Sequence, residues 1–301
     1  MRVNRRCAMR KETQEKDGCT YYLRFFRDWL DFVSCAEHVL RGCKGKSFGG
    51  MECSSLYEGK RDWYGTETLA EAVEFAYRGW PEGRKKIREA RERMQIEKLL
   101  PRAQRIIRSV DTSGDEPDID LFLQGEPEHM VTLHETIKPH RGKVLRFVLS
   151  RDGNASVEGL QMIRRGTAVL TALETLLMLG FTVEILIVLG YERRSAEGAH
   201  YVPILHAGDP INLDTLAFMF LQPAVLRRLS FAACECESRE YREIFDIYAN
   251  GGYSRACLPT FLPEHDFCLD WKDGLLNHDD EVVPFAFEIL RRVGIKIPET
   301  V

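Results

Sequence analysis

Lys143-Val-Leu-Arg-Phe-Val-Leu-Ser150 and Phe181-Thr-Val-Glu-Ile-Leu-Ile-Val-Leu189 are two short apolar runs rich in branched and aromatic side chains. Each has the length and composition of a buried strand. Between them Leu160, Ile163, Thr167, Leu170, Leu173 and Leu177 populate one broad face at helical spacing. The spacing predicts a helix over 157–179, with Gly180 just past its end, where a left-handed backbone is wanted. Strand, long helix, strand is the unit from which parallel sheets are built. Gly159 and Gly166 lie seven residues apart inside that helix. Each costs about 1 kcal/mol against alanine, so a packing reason is expected. The expectation is that the helix lies on the sheet between two parallel neighbouring strands, with Gly166 permitting close backbone approach.

Outward from this unit, Tyr201–His206 reads as a third strand, with Pro203 hinting at an edge position. A helix over about Ile211–Leu221 breaks at Pro223, and another runs from about Ala224 into the Cys234 region. Asp266–Trp271 reads as a strand, and Asp279 caps a helix through Arg292. On the amino-terminal side, the first twenty residues are polar and read as a tail. Tyr22, Phe25, Phe26, Trp29, Leu30, Phe32 and Val33 predict one amphipathic helix over Tyr21–Leu40, and the glycine-rich stretch 42–65 a loop. Thr68 and Glu71 form a capping box ahead of the apolar face Leu69, Ala72, Val73, Ala76, Tyr77 and Trp80, which Pro81 and Gly83 stop. The reading is a three-layer α/β fold, a mainly parallel sheet flanked by helices, over 139–301. A helical region over 1–138 precedes it.

Composition narrows the function classes. The chain has 301 residues, 44% hydrophobic and 29% charged, with a formal net charge of -4. That suffices for a sizeable core and excludes global disorder. The longest apolar runs are about ten residues, too short to span a bilayer as a helix, so no membrane partner is expected. Nine cysteines without a signal-type apolar core near the start argue for thiols in a reducing compartment, and hence a cytoplasmic location. A pI near 6.1 argues against attraction of the whole protein to nucleic acid. One local exception stands out: Arg84, Lys85, Lys86, Arg88, Arg91, Arg93, Lys98, Arg102, Arg105 and Arg108. An acidic, turn-rich stretch over 111–128 follows and is expected to fold back on this segment. The alternative reading of the basic stretch is a phosphate-contacting face for nucleic acid.

Chemistry concentrates just after the first strand. Asp152, Asn154 and Ser156 alternate in a loop that runs into the long helix, at the carboxyl end of a strand where open α/β sheets bind ligands. Three small oxygen-bearing side chains there can reach one hard divalent cation, Mg or Ca. The same residues also suit a tight turn with Ser156 capping the helix. The loop resembles the Asp-x-Ser-x-Ser loop of von Willebrand factor A domains, with Asn in the middle place. That resemblance implies a threonine and an aspartate from later loops; Asp209 and Asp214 are the candidate carboxylates.

A second resemblance covers about 62–236. It is carried by Trp63-Tyr-Gly-Thr-Glu-Thr-Leu69, Gly79-Trp-Pro-Glu-Gly83, Gly114-Asp-Glu-Pro-Asp-Ile-Asp120, Gly125-Glu-Pro127, Arg165-Gly-Thr-Ala168, Gly180-Phe-Thr-Val-Glu184, Leu213-Asp214 and Leu226-Arg-Arg-Leu-Ser-Phe231. These stretches are similar to an uncharacterised family of phage- and mobile-element-encoded proteins with a degenerate von Willebrand A-like core. It implies a fold and a host-cytoplasmic setting, and no activity.

Cys35, His38, Cys43 and Cys53, and Cys234, Cys236, Cys257, His265 and Cys268, lack paired zinc-knuckle spacing and read as packed thiols. No Gly-x-Ser-x-Gly elbow, Walker loop, dinucleotide glycine fingerprint or His-Glu-x-x-His helix is present. Glu184 within a strand needs a partner, for which Arg164 or Arg165 is expected; Arg227 and Arg228 are expected to pair with the acidic loop. The expected function is a non-catalytic protein-interaction or scaffold role, with a protein partner and a homo-oligomer as candidate assemblies. The alternatives are nucleic-acid binding through 84–108 and metal-dependent phosphoryl transfer at Asp152.

Overall fold

The computed structural model describes residues 9–94, 104–114, 116–137, 144–248 and 253–295. The chain begins with a hairpin, β1 (Arg10–Lys16) and β2 (Cys19–Phe25), then α1 (Trp29–Gly42), capped by the Asp28 side chain accepting from the Asp31 amide. A small hairpin follows, β3 (Ser47–Phe48) and β4 (Met51–Glu52), and then the short α2 (Arg61–Tyr64). Next come α3 (Leu69–Arg78) and α4 (Pro81–Met94). A separate three-stranded sheet holds β5 (Gln104–Asp111), β6 (Glu116–Pro117) and β7 (Met130–Ile137), with α5 (Ile119–Leu123) between the last two. The remainder runs β8 (Val144–Ser150), α6 (Gly159–Met178), β9 (Thr182–Arg193), β10 (Ala196–Leu205), α7 (Leu213–Leu221), a π-helical turn Val225–Ser230, α8 (Phe231–Glu235) and α9 (Arg239–Ile244). It closes with β11 (Arg255–Ala256), β12 (Phe267–Leu269) and α10 (Val282–Arg292).

The central sheet has the order β1-β2-β10-β9-β8-β12, with β11 paired to the far end of β9. β12, β8 and β9 are parallel neighbours, β10 is antiparallel to β9, and β2 runs parallel to β10. The protein is therefore α/β, with a mixed sheet flanked by helices. The strand after β9 departs from the parallel expectation because only Arg194 and Ser195 separate it from β9. Two residues can turn a hairpin but cannot cross over. β10 lies between β2 and β9 and is not the edge strand that Pro203 had hinted at; the proline is tolerated because it lies beyond the stretch 196–201 that pairs with β2.

The amino terminus corrects the reading most. Residues 10–25 are strands of the central sheet, not a polar tail leading into a helix. Tyr21 and Leu23 are buried on one face, while Tyr22 packs on the other against Tyr241 and Phe245, a two-residue period that the aromatic run had masked. The central sheet thus draws strands from both sides of the expected boundary at 138. Pro81 does not stop a helix but opens one: α3 ends at Gly79 (φ +83°), and proline occupies the first turn of α4.

One face of the sheet, with Leu145, Phe147, Leu149, Val183, Ile185 and Ile187, shares a large core with α6, α7, α4 and α10. The other face, with Leu23, Val148, Val188 and Tyr201, is covered by Leu258, Phe261 and Leu262. An irregular segment takes the place of the helical layer expected there. α6 packs as predicted: a Cβ on Gly166 would run into the Phe220 carbonyl and stand 2.8 Å from Leu221 Cα, so the glycine lets α6 and α7 touch backbone to backbone.

Candidate functional site at the carboxyl end of the central strands

β8 does not stop at Ser150. The Arg151 amide donates to the Val188 carbonyl (3.0 Å), carrying the ladder one residue further, and the chain then turns through 152–157, with Val157 N–H donating to the Asn154 carbonyl (3.0 Å). The Asp152 carboxylate closes this turn. Its Oδ2 accepts from the Gly190 amide of β9 (2.7 Å) and the Ser150 hydroxyl (3.0 Å). Helix α6 starts at Gly159, and its cap is Glu158, whose side chain is reciprocated by Gln161 Oε1 accepting from the Glu158 amide (2.9 Å). Ser156 lies two residues too early to cap it and is exposed.

The loop opens into a cavity of about 460 Å³. Asp152, Gly153 and Asn154 form one wall, Gly190 and Tyr191 of β9 another, and Arg227, Ser230, Phe231 and Cys234 a third. Trp63 and Tyr253 complete it; the Tyr253 ring stacks on Phe231 at 4.0 Å, and the Arg227 guanidinium lies over Trp63 at 4.2 Å. Of the three candidate metal-binding side chains, Asp152 and Asn154 share this cavity and Ser156 does not line it.

Three guanidinium groups surround the turn. Arg151 donates to the Gln222 carbonyl (2.9 Å), Arg165 to those of Asp273 (2.8 Å) and Asp270 (3.0 Å), and Arg227 to those of Trp63 (2.7 Å) and Val157. Among the described residues none of the three has a carboxylate partner within 4 Å. Burial pushes Arg151 down to about 9, with Arg165 adding to the shift, and lowers Arg165 and Arg227 to about 10 each. Burial likewise pushes Asp152 up to about 8; the Asp270 carboxylate adds to this, while the Gly190 and Ser150 donors and Arg165 oppose it. Asp152 is thus held largely protonated at neutral pH.

Asp270, just past β12, is the second carboxylate that reaches Asp152 electrostatically, and its Oδ1 is buried without a hydrogen-bond partner. Sequence reasoning placed a strand at 266–271 but had no means of knowing that it lies beside β8, and so missed this residue. The late carboxylates expected instead lie elsewhere. Asp209 accepts from the His206 amide in an exposed turn after β10. Because β10 runs antiparallel to β9, that turn is at the opposite end of the sheet from Asp152, and Asp209 cannot join it as a late carboxylate. Asp214 is in the first turn of α7 near Arg84 (3.6 Å), whereas it is the far end of α7, at Gln222, that reaches Arg151.

A family model described as a domain of unknown function (DUF7192) matches residues 9–293. The chain belongs to that family. No curated protein and no solved structure matches it. The DUF7192 match runs from the first residues of the β1–β2 hairpin to beyond α10, so the added hairpin and the Asp152 crevice fall within one family unit.

The remaining sequence candidates separate in space. Arg84, Lys85, Lys86, Arg88, Arg91 and Arg93 share α4, Arg105 stands on β5, and Arg102 lies outside the described residues. Several α4 cations are paired: Arg84 with Asp214, Lys85 with Glu89 (3.9 Å), and Arg91 with Glu174 (2.9 Å). Glu184 pairs with Arg146 across the β8–β9 ladder (3.4 Å), not with Arg164 or Arg165. Arg228 does not pair with the acidic stretch. It is fully buried and donates to the carbonyls of Ser55, Tyr57, Thr66 and Glu67, gathering the glycine-rich segment onto the core. Cys53 and Cys234 are buried, and burial pushes the Cys53 thiol up to about 11. Among the described residues no group of three or more His, Cys, Asp or Glu side chains is arranged to hold a metal, and no single helix is long and apolar enough to cross a membrane.

Proposed function

We propose that this chain is a non-catalytic interaction protein that presents the crevice at the carboxyl ends of β8 and β9 to a protein partner. The observation that carries the reading is the position of that crevice. In open α/β sheets the carboxyl ends of parallel strands, where neighbouring connections diverge, are where ligands bind. Here the connection from β8 leads through α6 to β9 on one side, while β12 flanks β8 on the other. The order β10-β9-β8-β12, with a long helix after β8 and an antiparallel strand after β9, supports the von Willebrand A-like character drawn from sequence. With it goes the phage or mobile-element setting of that resemblance.

The metal reading fits the residues poorly. One oxygen of Asp152 is already spent on two donors, Ser156 is not in the cavity, and Arg151, Arg165 and Arg227 already supply positive charge around the loop. A divalent cation would add charge where guanidinium groups already stand, which disfavours metal-dependent phosphoryl transfer at this loop. The basic helix favours the interaction reading over nucleic acid, since much of its charge is matched by carboxylates.

The test is retention of a partner from lysate of the source cell by immobilised wild type, by Asn154→Trp, which fills the cavity mouth, and by His206→Trp at the opposite end of the sheet. The reading expects loss with Asn154→Trp alone. Equal retention by all three overturns it.

A further inference from the structure

Beside the crevice, and sharing Trp63 with it, lies a second and larger concavity of about 730 Å³ between α2, α3, the start of α4 and the start of α6. We propose that this groove takes a segment of a partner protein that combines apolar side chains with lysine or arginine. The proposal rests on the interaction reading above and assigns a distinct surface to it.

The floor is apolar: Trp63, Phe75, Trp80, Ile163 and Pro223. Leu160, in the first turn of α6, stands at its edge with 55% of its surface exposed, whereas most apolar residues further along the same helix are covered. A large aliphatic side chain left open beside two indoles is the kind of patch that marks a contact surface. The rim supplies the sign. Asp62, Glu82 and Glu158 line it and are exposed. Among the described residues Arg61 is the one cation on the lining, and its guanidinium is already paired with Glu71 (2.7 Å) and Glu67 (3.9 Å). An apolar floor inside an acidic rim favours a ligand with apolar groups flanked by cations. It repels phosphate-bearing surfaces.

A second copy of this chain matches the groove badly. Its exposed cations on α4 alternate with Ile87 and Ala90, which are buried and cannot reach out. Among the described residues the most exposed apolar side chains, Ile119, Phe122 and Leu123, sit beside Asp118 and Asp120, which carry the same sign as the rim. A foreign segment is the better match.

The test uses three labelled twelve-residue probe peptides, of leucine with lysine, leucine with glutamate, and serine with lysine, followed by fluorescence anisotropy. The expected result is saturable binding of the leucine–lysine peptide at least about tenfold tighter than the other two, weakening with salt. Leu160→Asp and Glu82→Lys, both at exposed positions, should each weaken it at least about fivefold. Asn154→Trp should leave it unchanged, so that failure of the groove and failure of the crevice are separable. Should Leu160→Asp lose its native circular dichroism, Glu82→Lys decides. Equal binding of the three peptides, or wild-type affinity in both groove variants, overturns the proposal. So does a wild-type dimer in light scattering that Leu160→Asp dissociates, since the occupant would then be a second copy.

Discussion

Replacing Gly166 with alanine sets two opposed effects against each other at one site. In an exposed helix the change stabilises by about 1 kcal/mol, because alanine loses less backbone freedom on folding. At position 166 the new methyl would run into the carbonyl of Phe220 and lie 2.8 Å from Leu221 Cα. Both are backbone atoms of α7, so no side-chain rotation relieves the contact, and the helices must separate. Forcing extra volume into a packed core costs typically about 1–3 kcal/mol, and here the separation also loosens neighbours such as Leu170 and Phe218, which are essentially without exposure. The clash should outweigh the propensity gain, leaving a net loss of about 1–2 kcal/mol for Gly166→Ala and more for Gly166→Leu. Urea denaturation followed by circular dichroism, with the slope compared between variants, measures it. A gain in stability for Gly166→Ala would refute the close α6–α7 contact.

Three further expectations follow from buried charge. Asp152 titrates near 8 in the folded state, against about 4 unfolded. Folded chains therefore hold a proton that unfolded chains have lost between those values, and stability should fall as pH rises across that window. Discounted for its place in a cavity wall, the effect is about 2–3 kcal/mol. Asp152→Asn should abolish that part of the pH dependence; parallel stability curves for the two proteins from pH 5 to 8.5 would contradict it. Arg228→Met strands several carbonyls at once and should cost about 3 kcal/mol or more, read as a lower thermal midpoint, and an unchanged midpoint would show that the segment 55–67 is held otherwise. Glu237 is buried between Arg24 (2.8 Å) and Lys11 (2.7 Å), so Glu237→Ala leaves a buried guanidinium unpaired and should cost about 3–5 kcal/mol. Amide exchange should speed up first in the β1–β2 hairpin; uniform exchange would argue against that local role.

The central unit was legible because its signals are local. Apolar runs of strand length, a helical stripe and Gly180 at a helix end (φ +83°) needed no long-range information. The first strands were not legible, because Tyr21–Val33 reads equally well at a period of two or of 3.6 until β10 supplies the neighbour of β2. Asp152 and Asn154 could be singled out by their place after a strand. Asp270, Arg151 and Arg165 could not, since their meeting depends on β12 docking beside β8 and on α6 crossing behind the loop. The charged residues in particular misled. Arg227 and Arg228 satisfy carbonyls of distant loops, a role that no spacing in the sequence announces.

The most direct test of the account is site-specific photo-crosslinking from the two ends of the central sheet. A benzophenone side chain at position 154, in the mouth of the Asp152 cavity, should yield a discrete crosslinked protein species in cells. The same group at position 206, in the turn at the opposite end, should yield none. A species formed from position 206 and absent from position 154 would place the contact surface at the wrong end of the strands and contradict the proposed role of the crevice.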